Sequence, residues 1–222
     1  MEIGLHINQS SQQADLFNFI ERPSFPCIMA KSVAKMGLLD VHVQEEIERD
    51  LSQKSVLNDL YHFIDEFRAQ PNRLSSFTLI LKNPEYRCFD HFEKVFWKFL
   101  KQINVMDKII YAPDPRVGSD TMANDFSFSL KSEAFFILAL HPHSPRWARR
   151  FNYPAIVFNP HVQFENLKIK NIFKKIQNVI RTKDQLLQGF INPMLNDFGE
   201  KSEVFQYMGR AYARPENISF NL

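Results

Sequence analysis

Three strand-like segments lie close together in the second half of the chain, and they constrain the fold more than any other feature. Residues 126–130 and 134–140 are rich in apolar residues, and the polar stretch between them predicts a hairpin. Residues 155–158 predict a third strand beside this hairpin. A doubly wound α/β fold alternates strands with helices, which this order does not do. The pattern therefore predicts an α+β fold with a small mixed or antiparallel sheet and flanking helices.

The remaining periodic segments predict helices and one further strand. The clearest helix follows an N-cap at Asp90, because Phe92, Phe96, Phe99, Leu100 and Ile103 form one apolar stripe. No repeat, low-complexity tract or linker divides the chain, so residues 1–222 are expected to form a single domain. The other predicted elements are a helix at 12–21 with Ser11 as its N-cap, helices at 28–35, 55–70, 171–188 and 202–208, and a strand at 76–81.

Composition excludes several classes of function. The chain has 222 residues, a net charge of +2 and only six glycines. Neither G-x-G-x-x-G nor G-x-x-x-x-G-K-[ST] occurs, which argues against dinucleotide binding and P-loop chemistry. G-x-S-x-G is also missing, so an esterase nucleophile has no support. The near-neutral charge gives no reason to expect a nucleic-acid partner.

The cellular setting is predicted from three further features. No apolar run approaches the roughly 18 residues that a membrane span requires. The N-terminal residues lack the basic and apolar regions of a secretory signal. Cys27 and Cys88 are too few for a disulfide framework. We therefore expect a cytoplasmic protein without a membrane partner.

The chain contains 22 phenylalanines, which is its one compositional peculiarity. The plain interpretation is a core filled with aromatic rings. The sharper interpretation is a large apolar cavity, since a flat hydrophobic cofactor needs such walls.

Cys27 stands immediately before a predicted helix start. Backbone N–H groups and the helix dipole lower the pKa of a thiol in that position, and Lys31 one turn later would add to the effect. Such a thiolate could bind iron or act as a nucleophile. A buried, inert cysteine is the alternative.

Polar residues concentrate between His141 and Glu165. His141 and His143 are spaced i, i+2 at the end of a strand, and His161 follows the next strand. Two histidines and a carboxylate can form a facial triad for non-heme iron, here His141, His143 and Glu165. Capping or surface histidines beside the neighbouring prolines are the alternative.

Two charged clusters add candidate binding groups. Arg149 and Arg150, with Arg146 nearby, suit carboxylate or phosphate groups because a guanidinium donates two parallel hydrogen bonds. Asp197, Glu200 and Glu203 lie in an irregular segment and could receive a cationic substrate. For both clusters, a solvated surface is the alternative.

Several segments together resemble the YqcI/YcgG family, in particular its branch of heme-dependent N-hydroxylases that act on guanidine nitrogens. The resemblance covers roughly residues 20–212 and rests on the order of the motifs rather than on one alone. The motifs are FPCIMAKS (25–32), DFSFSL (125–130), ALHP with ARRF (139–142, 148–151), VFNPHVQFENL (157–167), INPML–DFGE–SE (191–203) and QYMGRA (206–211).

The resemblance implies heme b as cofactor and oxygen chemistry at its iron. The candidate axial ligands, in order, are Cys27, His161 and His141. A thiolate favours O–O cleavage, which places Cys27 first. The heme propionates would pair with cationic side chains, for which Lys31, Arg149 and Arg150 are the candidates.

The resemblance also implies an enzyme, a monooxygenase that N-hydroxylates a guanidine or amine nitrogen of an arginine-like small molecule. Asn192, Glu203 and Tyr207 are the candidate substrate-binding residues. O2 is the co-substrate, and electrons must come from an external ferredoxin or flavodoxin system, because no flavin or nicotinamide motif is present. Two alternatives remain open: a non-catalytic heme carrier or sensor, and the non-heme iron oxygenase built on His141, His143 and Glu165.

Overall fold

The structure is a computed structural model that describes residues 10–70, 72–191, 194 and 197–212. Within these ranges the chain forms a mixed five-stranded sheet flanked by helices, which confirms the predicted α+β class. The strands are β1 (Leu39–Gln44), β2 (Ser76–Leu81), β3 (Phe128–Leu130), β4 (Glu133–Leu140) and β5 (Ala155–Pro160). The α-helices are α1 (Ser11–Glu21), α2 (Ile28–Lys35), α3 (Asp50–Ala69), α4 (Phe89–Lys108), α5 (His161–Ile169), α6 (Phe173–Gln188) and α7 (Val204–Tyr207).

The sheet has the strand order β1-β2-β5-β4-β3. β1 and β2 are parallel and joined through α3, whereas the other neighbouring pairs are antiparallel. The predicted hairpin is present, and Leu130 pairs with Glu133 across the two-residue turn Lys131–Ser132. Both turn residues have positive φ, +49° and +55°, as a type I′ hairpin turn requires. Arg68 stabilises this turn by donating hydrogen bonds to both of its carbonyl oxygens.

One face of the sheet is closed by an aromatic core. Alternation along the strands directs Phe77, Phe135 and Phe158 to this face, where they pack against α3 and α4. The apolar stripe predicted on α4 contributes to the same core, and all of its members are buried. The N-cap of this helix is Cys88 rather than the predicted Asp90. The helix begins at Phe89, so Asp90 lies in its first turn.

The opposite face carries α1, α2, α5 and α6. A smaller cluster closes one end of this face, where Leu16, Phe19 and Ile20 of α1 pack against Leu140 and Ala155. α1 begins one residue earlier than predicted, since Ser10 is its N-cap and forms a capping box with Gln13. Within the described ranges, no helix is long and apolar enough to cross a membrane.

Two elements were absent from the sequence interpretation. β1 has alternating apolar and polar residues, LDVHVQ, which is the signal of a half-buried strand. α5 begins directly at the end of β5, and its residues show little helical amphipathicity. The helix predicted at 171–188 begins two residues later, at Phe173, and Asn171 at φ +56° separates it from α5.

The aromatic core predicts the effect of one substitution. The ring of Phe158 is fully buried and contacts the rings of Phe77, Phe128 and Phe135. We expect Phe158→Ala to lower the free energy of unfolding by about 3–5 kcal/mol in urea denaturation, because it leaves a cavity among rigid rings. Leu51→Ala is the control, since Leu51 is 81% exposed; it should change the free energy by less than about 0.5 kcal/mol. Equal effects of the two substitutions would contradict the packing described.

Candidate functional site

A cavity of about 640 Å³ lies between the second face of the sheet and helices α1, α2, α5 and α6. Its floor is formed by side chains of the central strands, among them Thr78, Leu138 and Val157. Most of the wall is apolar, and its volume falls in the range of small-molecule and cofactor sites. Both interpretations of the phenylalanine content therefore have a counterpart in the structure: aromatic rings fill the core on the first face of the sheet, and a large apolar cavity lies on the second face.

Helix α6 forms the roof of this cavity. Phe173, Ile176 and Ile180 face the cavity, and Asp184 is the one residue of the helix that is buried. The apolar side of α6 thus borders open space instead of packing on the sheet. Asp184 forms a buried ion pair with Arg146, which fixes the C-terminal half of the helix.

The N-terminal half of α6 is held by Asp197. Its carboxylate pairs with Lys174, accepts a hydrogen bond of 2.7 Å from Gln177 and lies 3.3 Å from Arg181. The hydrogen bonds from Lys174 and Gln177 hold the pKa of Asp197 below its usual range. The roof is therefore held at both ends by polar contacts.

Cys27 lies in the cavity wall as the N-cap of α2, where the Ala30 N–H donates a hydrogen bond of 3.4 Å to its Sγ. Burial among apolar side chains raises the pKa of the thiol, although the hydrogen bonds from Ala30 and Met29 act in the opposite direction. The lowered pKa predicted from the sequence is therefore wrong. Lys31 does not assist the thiol, because its ammonium donates to the Arg22 carbonyl at 2.6 Å.

His161 and Glu203 form a buried pair in another part of the wall. His161 is the first residue of α5, directly after β5, and its Nε2 lies 2.8 Å from Glu203 Oε1. Ser127 Oγ donates to Glu203 Oε2, also at 2.8 Å. The ring of Phe198 packs edge-on against the imidazole. These contacts fix the orientation of both the imidazole and the carboxylate.

Cys27 and the His161–Glu203 pair lie toward opposite ends of the cavity. The residues flanking Cys27, Phe25 and Ala30, pack with the cluster at Leu140 and Ala155, where β4 ends and β5 begins. His161 follows the far end of β5, whose six residues extend over roughly 17 Å at 3.3 Å per residue. The cavity therefore offers two separate chemical groups along the length of the strands.

The predicted cation partners lie away from the wall. Arg149 donates to the Tyr207 carbonyl at 2.7 Å, and Arg150 donates to the Ser144 carbonyl at 2.8 Å. Burial lowers the pKa of Arg149 to about 10. The cations that do line the cavity are Lys168, Lys174 and Arg181, which sequence reasoning missed. The density of Lys and Arg between residues 168 and 183 was the available signal.

Of the two predicted substrate-binding residues that the structure describes, Glu203 lines the cavity and Tyr207 does not. The Tyr207 side chain is fully buried in the aromatic core, and its hydroxyl accepts a hydrogen bond of 3.2 Å from the Phe128 N–H. Desolvation by burial raises the pKa of this phenol far above its ordinary value. Asn192 lies outside the described residues.

The non-heme iron triad does not assemble. His141 is fully buried; its Nε2 donates to the Tyr86 carbonyl at 2.9 Å and its Nδ1 accepts from the His143 N–H at 3.0 Å. Burial lowers the pKa of His141, consistent with this neutral tautomer. Both ring nitrogens are thus occupied, His143 is exposed, and Glu165 pairs with Lys168. Across the described ranges, no group of three or more His, Cys, Asp or Glu could hold a metal ion.

A family model describes nearly the whole chain. The model of the YqcI/YcgG family matches residues 16–220, which include every element of the sheet and all the cavity-lining residues. The chain belongs to the YqcI/YcgG family. Membership confirms the resemblance to the family as a whole, and the match includes Cys27, His161 and Glu203.

Two relatives of the YqcI/YcgG family in Bacillus subtilis (strain 168) are similar along most of their length. "Uncharacterized protein YqcI" is 24% identical over 208 residues, which cover 86% of this chain and 80% of that protein. "Uncharacterized protein YcgG" is 22% identical over 188 residues, which cover 80% of this chain and 72% of that protein. No solved structure gives a significant match.

Proposed function

We propose that this chain binds heme b in the cavity and N-hydroxylates a guanidine or amine nitrogen of an arginine-like small molecule. The observation that carries the proposal is the largely apolar cavity of about 640 Å³ with a thiol and an imidazole in its wall. The resemblance to the heme-dependent branch of the YqcI/YcgG family supports the choice of cofactor.

The residues of the wall fit this cofactor. Heme is flat and largely apolar, and it carries two propionates at one edge, so it needs apolar walls and cations on one side. Lys168, Lys174 and Arg181 line the cavity, and their side chains are 39%, 70% and 32% exposed. We assign them the propionates because they line the cavity, whereas Lys31, Arg149 and Arg150 do not. The propionates would compete with Glu165 for Lys168 and with Asp197 for Lys174 and Arg181.

Cys27 remains the first choice of axial ligand. Its Sγ accepts only backbone hydrogen bonds, the one from Ala30 being long at 3.4 Å, whereas Nε2 of His161 is held by Glu203 and both ring nitrogens of His141 are engaged. The raised pKa means that the thiol of the protein without ligand is protonated at neutral pH. Ligation would therefore release a proton, as thiolate ligation to a metal does.

When bound, heme b would supply oxygen activation. One atom of O2 would enter the substrate, converting N–H to N–OH, and the other would leave as water, with two protons and with two electrons from an external ferredoxin or flavodoxin system. The imidazole of His161 lies in the cavity wall with Nε2 2.8 Å from the buried Glu203 carboxylate, and this contact would orient the imidazole beside a bound substrate.

Glu203 is the residue we assign to the cationic end of the substrate. A carboxylate has about four acceptor positions, of which His161 and Ser127 occupy one each. The remaining positions can accept from a guanidinium, whose planar fork matches a carboxylate. Because Glu203 is buried, its site should discriminate against neutral analogues.

The cofactor assignment predicts about one heme per chain. We expect a pyridine hemochromogen assay to find this ratio after expression with heme supply, and we expect Leu138→Trp to reduce it strongly, because the indole would fill the cavity floor. Leu186→Trp is the control, since Leu186 is 82% exposed on α6; it should retain heme. Absence of heme from the unmodified chain would refute the proposal. A chain that binds heme but forms no N-hydroxylated product would support the alternative of a non-catalytic heme carrier or sensor.

The ligand assignment predicts a thiolate spectrum. The reduced protein with carbon monoxide should show a strongly red-shifted Soret band, and Cys27→Ala should abolish it. Cys88→Ala, which removes the exposed cysteine, should leave the band unchanged. A band that survives Cys27→Ala but is lost in His161→Ala would transfer the ligand role to His161.

The substrate assignment predicts a charge-dependent response. Arginine should perturb the Soret band, and citrulline should do so far less. Glu203→Gln should weaken the arginine response by about 1.5–3 kcal/mol, the typical contribution of a charge-assisted hydrogen bond. Glu200→Gln is the matched control because Glu200 is exposed in the same segment. Equal responses to arginine and citrulline would show that the guanidine assignment is wrong.

A further inference from the structure

The surface formed by the end of α5 and by α6 is basic. Residues 168–190 carry six cations and one carboxylate, Asp184, which is buried against Arg146. Lys168 pairs with Glu165, and Lys174 and Arg181 share Asp197, so the other three cations carry most of the excess charge. The whole chain has a net charge of only +2, so the rest of the chain is net negative. We call this part of the molecule the basic surface; its cations are Lys168, Lys170, Lys174, Lys175, Arg181 and Lys183.

The basic surface also exposes large apolar side chains. Ile169 is 76% exposed, Leu186 is 82% exposed and Phe190 is 52% exposed. Trp147, 53% exposed, is the first residue of a short 3-10 helix, Trp147–Arg149, that packs against α6. Apolar side chains surrounded by charged ones are typical of surfaces that bind another macromolecule.

This surface lies directly over the cavity. Lys168, Lys174 and Arg181 belong both to the basic surface and to the cavity wall, with their side chains partly in solvent. A macromolecule bound here would therefore contact the roof of the cavity, and only the side chains of the roof would separate it from a ligand in the cavity.

We propose that the basic surface is the docking site of a small, acidic one-electron carrier protein. The inference rests on the proposed function, which needs two electrons for each O2 reduced. The carrier would dock twice per turnover, be oxidised by one electron each time and dissociate. Opposite surface charge accelerates such encounters, and electron-transfer interfaces are small and transient.

An anionic lipid surface would be the other partner of a basic, amphipathic helix, but the orientation of α6 argues against it. An interfacial helix buries its continuous apolar side in the lipid. That side of α6, with Phe173, Ile176 and Ile180, faces the cavity. The exposed apolar residues are scattered among cations, which suits a protein surface better.

The test uses an acidic [2Fe–2S] ferredoxin as probe and the full chain, with heme content measured on the same sample. Lys170, Lys175 and Lys183 have no part in the assigned cofactor or substrate contacts, so K170E/K175E/K183E is the test variant. K94E/K98E/K101E makes the same charge change at three exposed lysines of α4, on the other side of the sheet. Calorimetry gives the ferredoxin Kd at about 0.01 M and 0.1 M ionic strength, where the Debye length falls from about 30 to about 10 Å.

We expect the unmodified chain to bind ferredoxin with an affinity that falls as salt rises. K170E/K175E/K183E should lose at least about tenfold in affinity, and K94E/K98E/K101E less than about threefold. Equal losses in both variants, or no ferredoxin binding by the unmodified chain, would overturn the proposal. A chain that does not bind ferredoxin but sediments with anionic phospholipid vesicles, and loses this sedimentation in K170E/K175E/K183E alone, would overturn the proposal in favour of a lipid partner. Ferredoxin binding by a sample that contains no heme would sustain the docking site while refuting the proposed function.

Discussion

Phe77, Phe135 and Phe158 pack ring against ring between the sheet and helices α3 and α4, and this aromatic packing is the interaction on which the rest of the structure depends. Aromatic rings bury large areas and interlock in edge-to-face geometry, so one face of the sheet alone supplies an extensive core. Because the fold is stabilised on that side, the opposite face need not be fully packed. The cavity lies on this opposite face, and the strands of the central sheet supply its floor as a rigid base for the side chains that line it.

The two ends of the cavity differ because different elements reach them. At one end the connector into α2 places a thiol among apolar side chains, and desolvation keeps that thiol neutral. At the other end β5 runs directly into α5, and His161 meets Glu203, which belongs to a distant segment of the chain. A buried carboxylate is unfavourable unless its oxygens are paired, and His161 and Ser127 supply those partners. The cavity thus combines one apolar end with one polar, hydrogen-bonded end.

The elements with strong periodicity were predictable from the sequence, and so were the residue types at the site. β2, α4 and the β3–β4 hairpin were found where the apolar pattern placed them. β1 was overlooked although LDVHVQ alternates clearly, whereas α5 lacks the amphipathic signal that would reveal it.

Cys27, His161 and Glu203 were identified as candidates and do line the cavity. The hydrogen-bond partners of Arg149 and Arg150 could not be predicted. A flexible cationic side chain donates to whichever carbonyl the tertiary fold brings near it, and the local sequence does not determine which carbonyl that is. For the same reason the pKa of Cys27 could not be deduced from its place at a helix start: the helix terminus was visible in the sequence, but the degree of burial was not.

The open space beneath α6 depends on what holds the helix in place. Hydrophobic attraction is non-directional and acts to bring Ile176 and Ile180 down onto Leu138 and Val157, which would close the cavity. Hydrogen bonds are directional, and the buried pair Arg146–Asp184 together with the hydrogen bond from Gln177 to Asp197 positions both halves of α6. A buried ion pair contributes little net stability compared with apolar packing, since desolvation offsets much of its attraction. Its effect at Asp184 is therefore better described as specificity of position than as stabilisation. The same helix consequently presents apolar side chains to the cavity and its cations to the mouth and the solvent, and any ligand held below it and any partner bound above it would share one structural element.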